Sequence, residues 1–294
     1  MTQTTNEIRY LTRPQGRIAY TDTGTGPLVV AVPGMGDLRS TYDDLVPALT
    51  GAGLRVVVAD LRGHGDSDTT FRAHGDEATA SDLVALVTHL DAGPAVLMGS
   101  SMGGSAAVVA AADRPDLVRG LVLIAPHLRE TASPAAQATY RALYRVLFAR
   151  PWGAAAWAWL YTSMFAKGRR SPRHAAHVAA IRRSLADPAR LRSFRDLAVA
   201  LDHSVVEPRV AGVRAPALVV VGELDPDYKD AAAALADMRD ALGAQGVLVP
   251  GVGHYPQHQA PDVVTPAVLD FLAALPAGDQ GAAGTAGEQG CARA

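Results

Sequence analysis

The chain has 294 residues, a formal net charge of −2 and 49% hydrophobic residues. This length is enough for one large domain, or for a domain with an insertion, that buries a substantial core. The near-neutral charge gives no support for nucleic-acid binding, and no apolar stretch reaches the roughly 20 residues that a transmembrane helix needs. The N-terminal sequence MTQTTNEIRY lacks the apolar region of a signal peptide, so we expect a cytoplasmic protein.

The C-terminal end carries the single cysteine, Cys291. One cysteine excludes an intramolecular disulfide, and its position argues against a cysteine nucleophile or a cysteine-zinc site. Residues 275–294 are rich in Gly, Ala and Gln without hydrophobic periodicity, which predicts a disordered tail.

Short apolar strands alternate with helices through the first 126 residues. The pattern predicts a hairpin of Glu7–Thr12 and Arg17–Thr21, and then buried strands at Leu28–Val32, Arg55–Ala59, Ala95–Gly99 and Gly120–Ala125. The intervening helices are expected at Thr41–Thr50, Ala78–Leu90 and Ser101–Ala112. This alternation is typical of a parallel sheet that is covered by helices on both faces.

From 127 to 206 the chain shows no strand-like run. It contains four helical segments: Ala135–Phe148, Ala154–Phe165, His174–Leu185 and Leu191–Leu201. Alternation resumes with strands Ala217–Val221 and Gly246–Val249 and helices Ala231–Leu242 and Val263–Ala273. We therefore expect residues 7–126 and 207–274 to form an α/β core, with residues 127–206 as a helical cap over the strand ends, where ligands bind in such sheets.

The stretch Gly99-Ser100-Ser101-Met102-Gly103 lies between a predicted strand and a predicted helix. A serine on such a sharp turn needs small neighbours two residues away on each side, because a Cβ atom there would clash. This is the G-x-S-x-G pattern of a nucleophile elbow. Only Ser101 has glycine at both positions, so it is the candidate nucleophile.

A serine hydroxyl becomes a good nucleophile when a base takes its proton, and a third group must orient that base. His254 lies in a glycine-rich loop after the last predicted strand, and Asp225 follows the strand Ala217–Val221. Both loops are expected at the same edge of the sheet as Ser101. Asp225 could instead cap its loop, which would leave Glu223 or Asp227 as the acid.

Two further segments complete a resemblance to the α/β-hydrolase fold superfamily. Pro33-Gly34-Met35-Gly36 resembles the family's oxyanion loop, and residues 60–67 (DLRGHGDS) resemble its D-x-R-G-x-G-x-S segment. The resemblance covers about residues 7–274 and implies a mostly parallel, eight-stranded sheet with a helical cap. Pro33 stands where the family usually has a histidine that braces the loop.

The resemblance implies a role for each candidate residue. Ser101 would be the nucleophile, His254 the general base and Asp225 the orienting acid, while the backbone N–H groups of Met35 and Met102 would form the oxyanion hole. Serine at the elbow disfavours the epoxide hydrolases and haloalkane dehalogenases of this fold, which attack with a carboxylate. The leading interpretation is a serine hydrolase that cleaves an ester or related acyl bond of a small to medium, largely apolar substrate.

Several alternatives stay open at this point. A carbon–carbon bond hydrolase, a lactonase, a thioesterase or a non-catalytic receptor of the same fold would share these residues. We expect a small-molecule substrate, no cofactor, no metal, no nucleic-acid partner and no membrane span, and a homodimer is compatible with the sequence. The pairs His174/His177 and His254/His258 have metal-ligand spacing but no carboxylate that completes a set, so packed or solvated roles are favoured.

The predicted cap holds two unusual stretches. An aromatic cluster is expected to form the core of the cap or to line an apolar pocket; its members are Trp152, Trp157, Trp159, Tyr161 and Phe165. The segment Lys167–Arg195 holds nine basic residues and one Asp. It is interpreted as a solvated helical face, with attraction of an anionic substrate or partner as the alternative.

Overall fold

The computed structural model describes residues 7–276, so the predicted tail from residue 277 onward lies outside the described residues. Eight strands form one sheet in the order β1-β2-β4-β3-β5-β6-β7-β8. Their bounds are β1 Arg9–Arg13, β2 Gly16–Thr23, β3 Leu28–Val32, β4 Arg55–Ala59, β5 Ala95–Ser100, β6 Val118–Ile124, β7 Ala217–Gly222 and β8 Gln245–Val249.

The sheet is mostly parallel. β1 and β2 pair antiparallel, β2 pairs antiparallel with β4, and every other neighbouring pair is parallel. The carboxyl ends of β3, β5, β6, β7 and β8 therefore meet at one edge. The predicted class, an eight-stranded and mostly parallel sheet flanked by helices, is confirmed.

Helices cover both faces of the sheet. Their bounds are α1 Val46–Gly51, α2 Asp76–Leu90, α3 Met102–Asp113, α4 Pro134–Leu147, α5 Gly153–Leu160, α6 His174–Leu185, α7 Pro188–Ala200, α8 Glu207–Val210, α9 Ala231–Leu242, α10 Pro256–Gln259 and α11 Pro261–Ala274. Among residues 7–276, none of these helices has the length and apolar character required to span a bilayer.

The core lies in two layers because successive strand residues point to opposite faces. On β3, Val30 packs in the cluster beneath α2 and α3, whereas Val29 packs in the cluster on the other face with α11. Both side chains are fully buried. Burial on both faces explains why these strands read as continuous apolar runs rather than as alternating patterns.

The prediction for Thr41–Thr50 was wrong in part. A short 3₁₀ helix, Arg39–Tyr42, precedes α1, which begins only at Val46. The Tyr42 hydroxyl donates to the Val32 carbonyl at 2.9 Å and its ring is buried, and this anchor turns the chain before the helix starts. The short helices α8 and α10, which the hydrophobic pattern did not predict, both carry proline in the first turn.

Residues 127–206 contain α4 to α7, and we call them the helical segment. Its aromatic core includes Phe148, Trp157 and Phe194. The Phe165 carbonyl accepts from the backbone N–H of His254 at 2.9 Å, and Gly168 forms a β-bridge with Val252. The helical segment is thereby attached to the loop that follows β8, at the edge where the strands end.

Candidate active site

Ser101 lies on a strained turn between β5 and α3. Its backbone has φ 53° and ψ −125°, a conformation that costs a non-glycine residue free energy and that clusters at functional sites. A Cβ added at Gly99 would lie 2.2 Å from the Gly103 carbonyl oxygen, and one added at Gly103 would lie 2.6 Å from the Pro33 carbonyl oxygen. Both flanking glycines are therefore required by close backbone approach, as the sequence pattern predicts.

We expect Gly99→Ala to lower the free energy of unfolding by about 3 kcal/mol, because the new methyl group meets backbone atoms that cannot rotate away. Urea denaturation measures the change. Gly51→Ala is the matched control: nothing lies within 4 Å of its Cβ position and its φ is ordinary. That control should leave stability unchanged or raise it by about 0.5 kcal/mol, and equal losses in both variants would contradict the packing argument.

The loops after β7 and β8 bring Asp225 and His254 together. His254 Nδ1 lies 2.8 Å from Asp225 Oδ2, and both side chains are buried. The backbone N–H of Leu224 donates to the Val252 carbonyl at 2.8 Å, which joins the two loops. An Nδ1–H that donates to a buried carboxylate leaves Nε2 as the proton-accepting nitrogen of a neutral imidazole.

A second carboxylate lies next to the same imidazole. Asp227 Oδ2 is 3.4 Å from His254 Nδ1 and 3.3 Å from His127 Nε2. Glu223, the other alternative acid, instead accepts from the backbone N–H of Gly251. The choice for the orienting acid is thus between Asp225, which is closer and buried, and Asp227, which is more exposed.

The two carboxylates decide the protonation of His254. Burial alone lowers the pKa of an imidazole, but the charges of Asp225 and Asp227 outweigh it and raise the pKa of His254 to about 9. Partial burial opposes ionisation of Asp227, yet the imidazoles of His254 and His127 hold the pKa of its carboxyl below the ordinary value. The three groups together therefore favour a protonated His254 over a wide pH range.

Asp225, Asp227 and His254 are also close enough together to hold a metal ion. They are the one such set among residues 7–276, and their ligand atoms lie within 4.8 Å of one another. A metal on His254 Nδ1 would have to displace the proton that this nitrogen donates to Asp225. The hydrogen-bonded arrangement is the one that the observed 2.8 Å contact favours.

Ser101 and His254 line one cavity of about 240 Å³. Met35 lines it too, and Gly34 approaches so closely that an added Cβ would lie 2.7 Å from Ser101 Cβ. The Met102 side chain is buried in the core behind the elbow and does not line the cavity. The oxyanion role expected of Met102 concerns its backbone N–H, at the first residue of α3.

Side chains distant in sequence brace the loop after β3. The backbone N–H of Gly36 donates to His64 Nε2 at 3.1 Å, while His64 Nδ1 donates to the Arg62 carbonyl. Burial lowers the pKa of His64 to about 4, so the ring stays neutral and keeps this acceptor. Trp157 Nε1 donates to the Gly36 carbonyl at 2.8 Å.

A buried hydrogen bond attaches the same loop to the helical segment. His177 Nε2 on α6 lies 2.7 Å from Asp37 Oδ1, and Ser40 Oγ lies 2.9 Å from His177 Nδ1. His64 also braces the loop that begins with Pro33, through its hydrogen bond with Gly36. The sequence carried no signal for these contacts, since they join residues up to 140 positions apart.

The model of the alpha/beta hydrolase family matches residues 29–267, which cover most of the chain. The chain belongs to the alpha/beta hydrolase family. It is similar to the 2-(acetamidomethylene)succinate hydrolase of Mesorhizobium japonicum, with 28% identity over 264 residues, or 87% of this chain and 92% of the relative.

Solved structures extend this likeness. A thermophilic esterase from Thermogutta terrifontis is 26% identical, with a TM-score of 0.72 over 91% of this chain and 98% of its own. An enol-lactonase from Burkholderia xenovorans is 25% identical, with a TM-score of 0.73 over 90% of this chain and 100% of its own. The protein is therefore an enzyme, a hydrolase of this fold.

The aromatic cluster of the hydrolase divides between roles. Trp157 and Phe165 line the cavity, and Tyr161 is buried in the core of the helical segment. Trp152 and Trp159 are exposed on the surface, at 51% and 67%. Some members of the cluster therefore line the pocket and others form the core of the helical segment. Their spacing in the sequence did not distinguish the two groups.

The basic stretch Lys167–Arg195 does not line the cavity of the hydrolase. Several of its arginines pair with surface carboxylates, such as Arg169 with Asp262 at 2.7 Å. His174 and His177 are packed, since both are buried at the contact between α6 and the core.

Proposed function

We propose that this hydrolase cleaves an ester, or a related acyl bond, of a small molecule through Ser101, His254 and Asp225. The observation that carries the proposal is that a serine on a strained strand-to-helix turn and an imidazole held by a buried carboxylate line the same cavity. Nucleophile, base and orienting acid are the parts that covalent acyl transfer requires.

In the first half-reaction, Ser101 Oγ attacks the carbonyl carbon while His254 Nε2 takes the hydroxyl proton. The oxygen of the tetrahedral intermediate accepts hydrogen bonds from the backbone N–H groups of Met35 and Met102. His254 then donates the proton to the leaving alkoxide, and an acyl-serine remains. In the second half-reaction, water loses a proton to His254 and attacks the acyl-serine, which releases the acid and restores Ser101.

The helical segment supports a small substrate. We propose that residues 127–206 act as a cap, because Trp157 and Phe165 from this segment line the same cavity as Ser101. A volume of about 240 Å³ suits a short acyl chain, and no cofactor is needed for the steps described.

A lactonase is the second candidate. The chemistry of the two half-reactions is the same when the leaving alkoxide stays attached to the acyl group, and an enol-lactonase is among the structural neighbours at 25% identity. Carbon–carbon bond hydrolysis and thioester hydrolysis would use the same nucleophile and base. Substrates for both reactions therefore belong in the same substrate panel.

A fluorophosphonate probe and a substrate panel test the proposal. We expect stoichiometric labelling of the wild-type enzyme and turnover of 4-nitrophenyl butyrate, both unaffected by EDTA. Lactone turnover without ester turnover would select the second candidate, and cleavage of a vinylogous diketone alone would select carbon–carbon hydrolysis. Tight ligand binding with no labelling and no turnover would contradict an enzymatic site.

The pH profile follows from the raised pKa of His254, which is about 9. The base must be neutral to take the serine proton, so kcat/KM should rise about tenfold per pH unit between pH 6 and pH 8 and level off above pH 9. Initial rates with a neutral ester measure this. A profile that is already flat at pH 7 would contradict the effect of two carboxylates on His254.

A further inference from the structure

One guanidinium in the cavity lacks a full set of hydrogen-bond partners. Arg141 on α4 lines the cavity together with Ser101. Its Nε is fully buried and has no hydrogen-bond partner. Its Nη2 makes only a long contact of 3.4 Å with Gln137 and lies 3.8 Å from the Asp202 carboxylate. A buried N–H with no acceptor costs free energy that a ligand oxygen would recover.

The carboxylates that line the cavity are engaged elsewhere. Glu130 accepts from the backbone N–H of Ala132 at 2.7 Å. Asp227 is paired with His127 and His254. Neither makes a hydrogen bond with Arg141 within the part of the chain that the structure describes, so the long 3.8 Å contact with Asp202 is the carboxylate contact of this guanidinium there.

The other cavity arginine, Arg129, differs from Arg141. Its side chain is 54% exposed and lies 3.5 Å from Asp237 on α9, at the outer surface. Arg141 lines the cavity as well, its side chain is less exposed, at 39%, and its Nε is buried without a partner. Of the two arginines, Arg141 is the better placed to meet a bound molecule.

We propose that the site takes an acyl group that carries a free carboxylate, and that Arg141 binds this carboxylate. The proposal rests on the proposed function, because it assigns the far end of the substrate whose carbonyl meets Ser101. A planar guanidinium offers two parallel N–H donors that match a carboxylate in bidentate geometry. Such a charge-assisted contact satisfies the buried donor and neutralises the anion at the same time.

The aromatic residues that line the same cavity fit the remainder of such a molecule. Tyr144, Trp157 and Phe165 line the cavity and suit a short methylene chain. The substrate class is therefore a half-ester, or a cyclic equivalent, of a short dicarboxylic acid. A substrate of this class carries a charge at one end, so the expected apolar character applies only to the middle of the molecule.

Kinetics with matched esters test the assignment. The neutral substrate is 4-nitrophenyl butyrate, and the anionic substrates are the mono-4-nitrophenyl esters of succinic and glutaric acid, which differ in chain length. We expect Arg141→Gln to lower kcat/KM for the better half-ester by about 10- to 100-fold, mainly through KM, and to lower kcat/KM for the butyrate by a factor at least about fivefold smaller. Arg141→Lys should recover part of the loss, since it keeps the charge but not the fork.

Arg145→Gln is the matched control, because Arg145 lies one turn further along α4, is exposed and does not line the cavity. It should leave both substrates unchanged. Asp202→Asn removes the nearest carboxylate from Arg141 and tests a structural role: half-ester kinetics should be maintained or improved. If Asp202→Asn reproduces the loss, or if Arg141→Gln affects butyrate and half-ester equally, the assignment is wrong.

A binding measurement separates this proposal from the proposed function. Calorimetry with glutarate should detect binding to the wild-type enzyme and to Ser101→Ala, with affinity reduced about tenfold or more in Arg141→Gln. Absence of any hydrolysis together with Arg141-dependent glutarate binding would refute the serine hydrolase and keep the anion site. Hydrolysis of neutral esters, with half-ester kinetics and glutarate binding that do not change in Arg141→Gln, would refute the anion site and keep the serine hydrolase.

Discussion

Replacing Ser101 with alanine is expected to reduce kcat for 4-nitrophenyl butyrate by about 10⁴-fold or more, because losing the nucleophile removes both half-reactions at once. Fluorophosphonate labelling should disappear together with turnover. The substitution leaves the fold intact, since alanine keeps the Cβ atom that already occupies the turn. The midpoint of urea denaturation should therefore stay close to that of the wild type.

Ser100→Ala is the control for this loss. Ser100 is the neighbouring serine, fully buried, and its hydroxyl accepts from Gln257 Nε2 at 3.2 Å. It does not line the cavity, so labelling and turnover should persist, with a stability loss of about 1 kcal/mol from the broken hydrogen bond. Labelling that moves to Ser100, or that persists in Ser101→Ala, would contradict the assignment of the nucleophile.

Asp225→Asn is expected to reduce kcat by about 10⁴-fold, because an amide in place of the carboxylate no longer fixes the tautomer or stabilises the imidazolium. Asp227→Asn should cost less than about tenfold at the pH optimum. In that variant the pKa of His254 falls, because one of the two charges that raise it has gone. The rising limb of kcat/KM should then shift to lower pH.

The pair of variants decides between two acids that share one imidazole. Rate measurements from pH 6 to pH 10 supply both the loss of kcat and the displacement of the limb. A larger loss in Asp227→Asn than in Asp225→Asn would assign the orienting role to Asp227. Equal losses of kcat in both variants, without any shift in the pH dependence of kcat/KM, would contradict a mechanistic role for either carboxylate.

Much of this architecture could be predicted from local pattern alone. The glycine at 99 is required by the backbone of Gly103, which lies in the same turn, and the glycine at 103 by the carbonyl of Pro33 on the loop after β3. Both requirements leave a mark within five consecutive residues, so the elbow could be recognised from the sequence. The strands of a doubly covered sheet are continuous apolar runs, which is why Leu28–Val32 and Arg55–Ala59 were predicted with correct bounds.

Contacts between distant segments could not be predicted in this way. The bond from Gly36 to His64 and the pair formed by Asp37 and His177 depend on how loops from separate elements meet. The choice between Asp225 and Asp227 depends on which carboxylate reaches Nδ1, and both lie in the same short loop. Nothing in the sequence of α4 indicated that Arg141 would line the cavity, because an arginine on an amphipathic helix is expected to face solvent.

The attachment of the helical segment to the loop after β3 has a consequence for the proposed oxyanion hole. Trp157 and His177 belong to the helical segment, and they form hydrogen bonds with Gly36 and Asp37, which follow Met35 in the loop after β3. A displacement of the helical segment would break these two hydrogen bonds and free the loop that carries one of the two proposed oxyanion donors. The position of the helical segment and the geometry of the proposed oxyanion hole are therefore coupled.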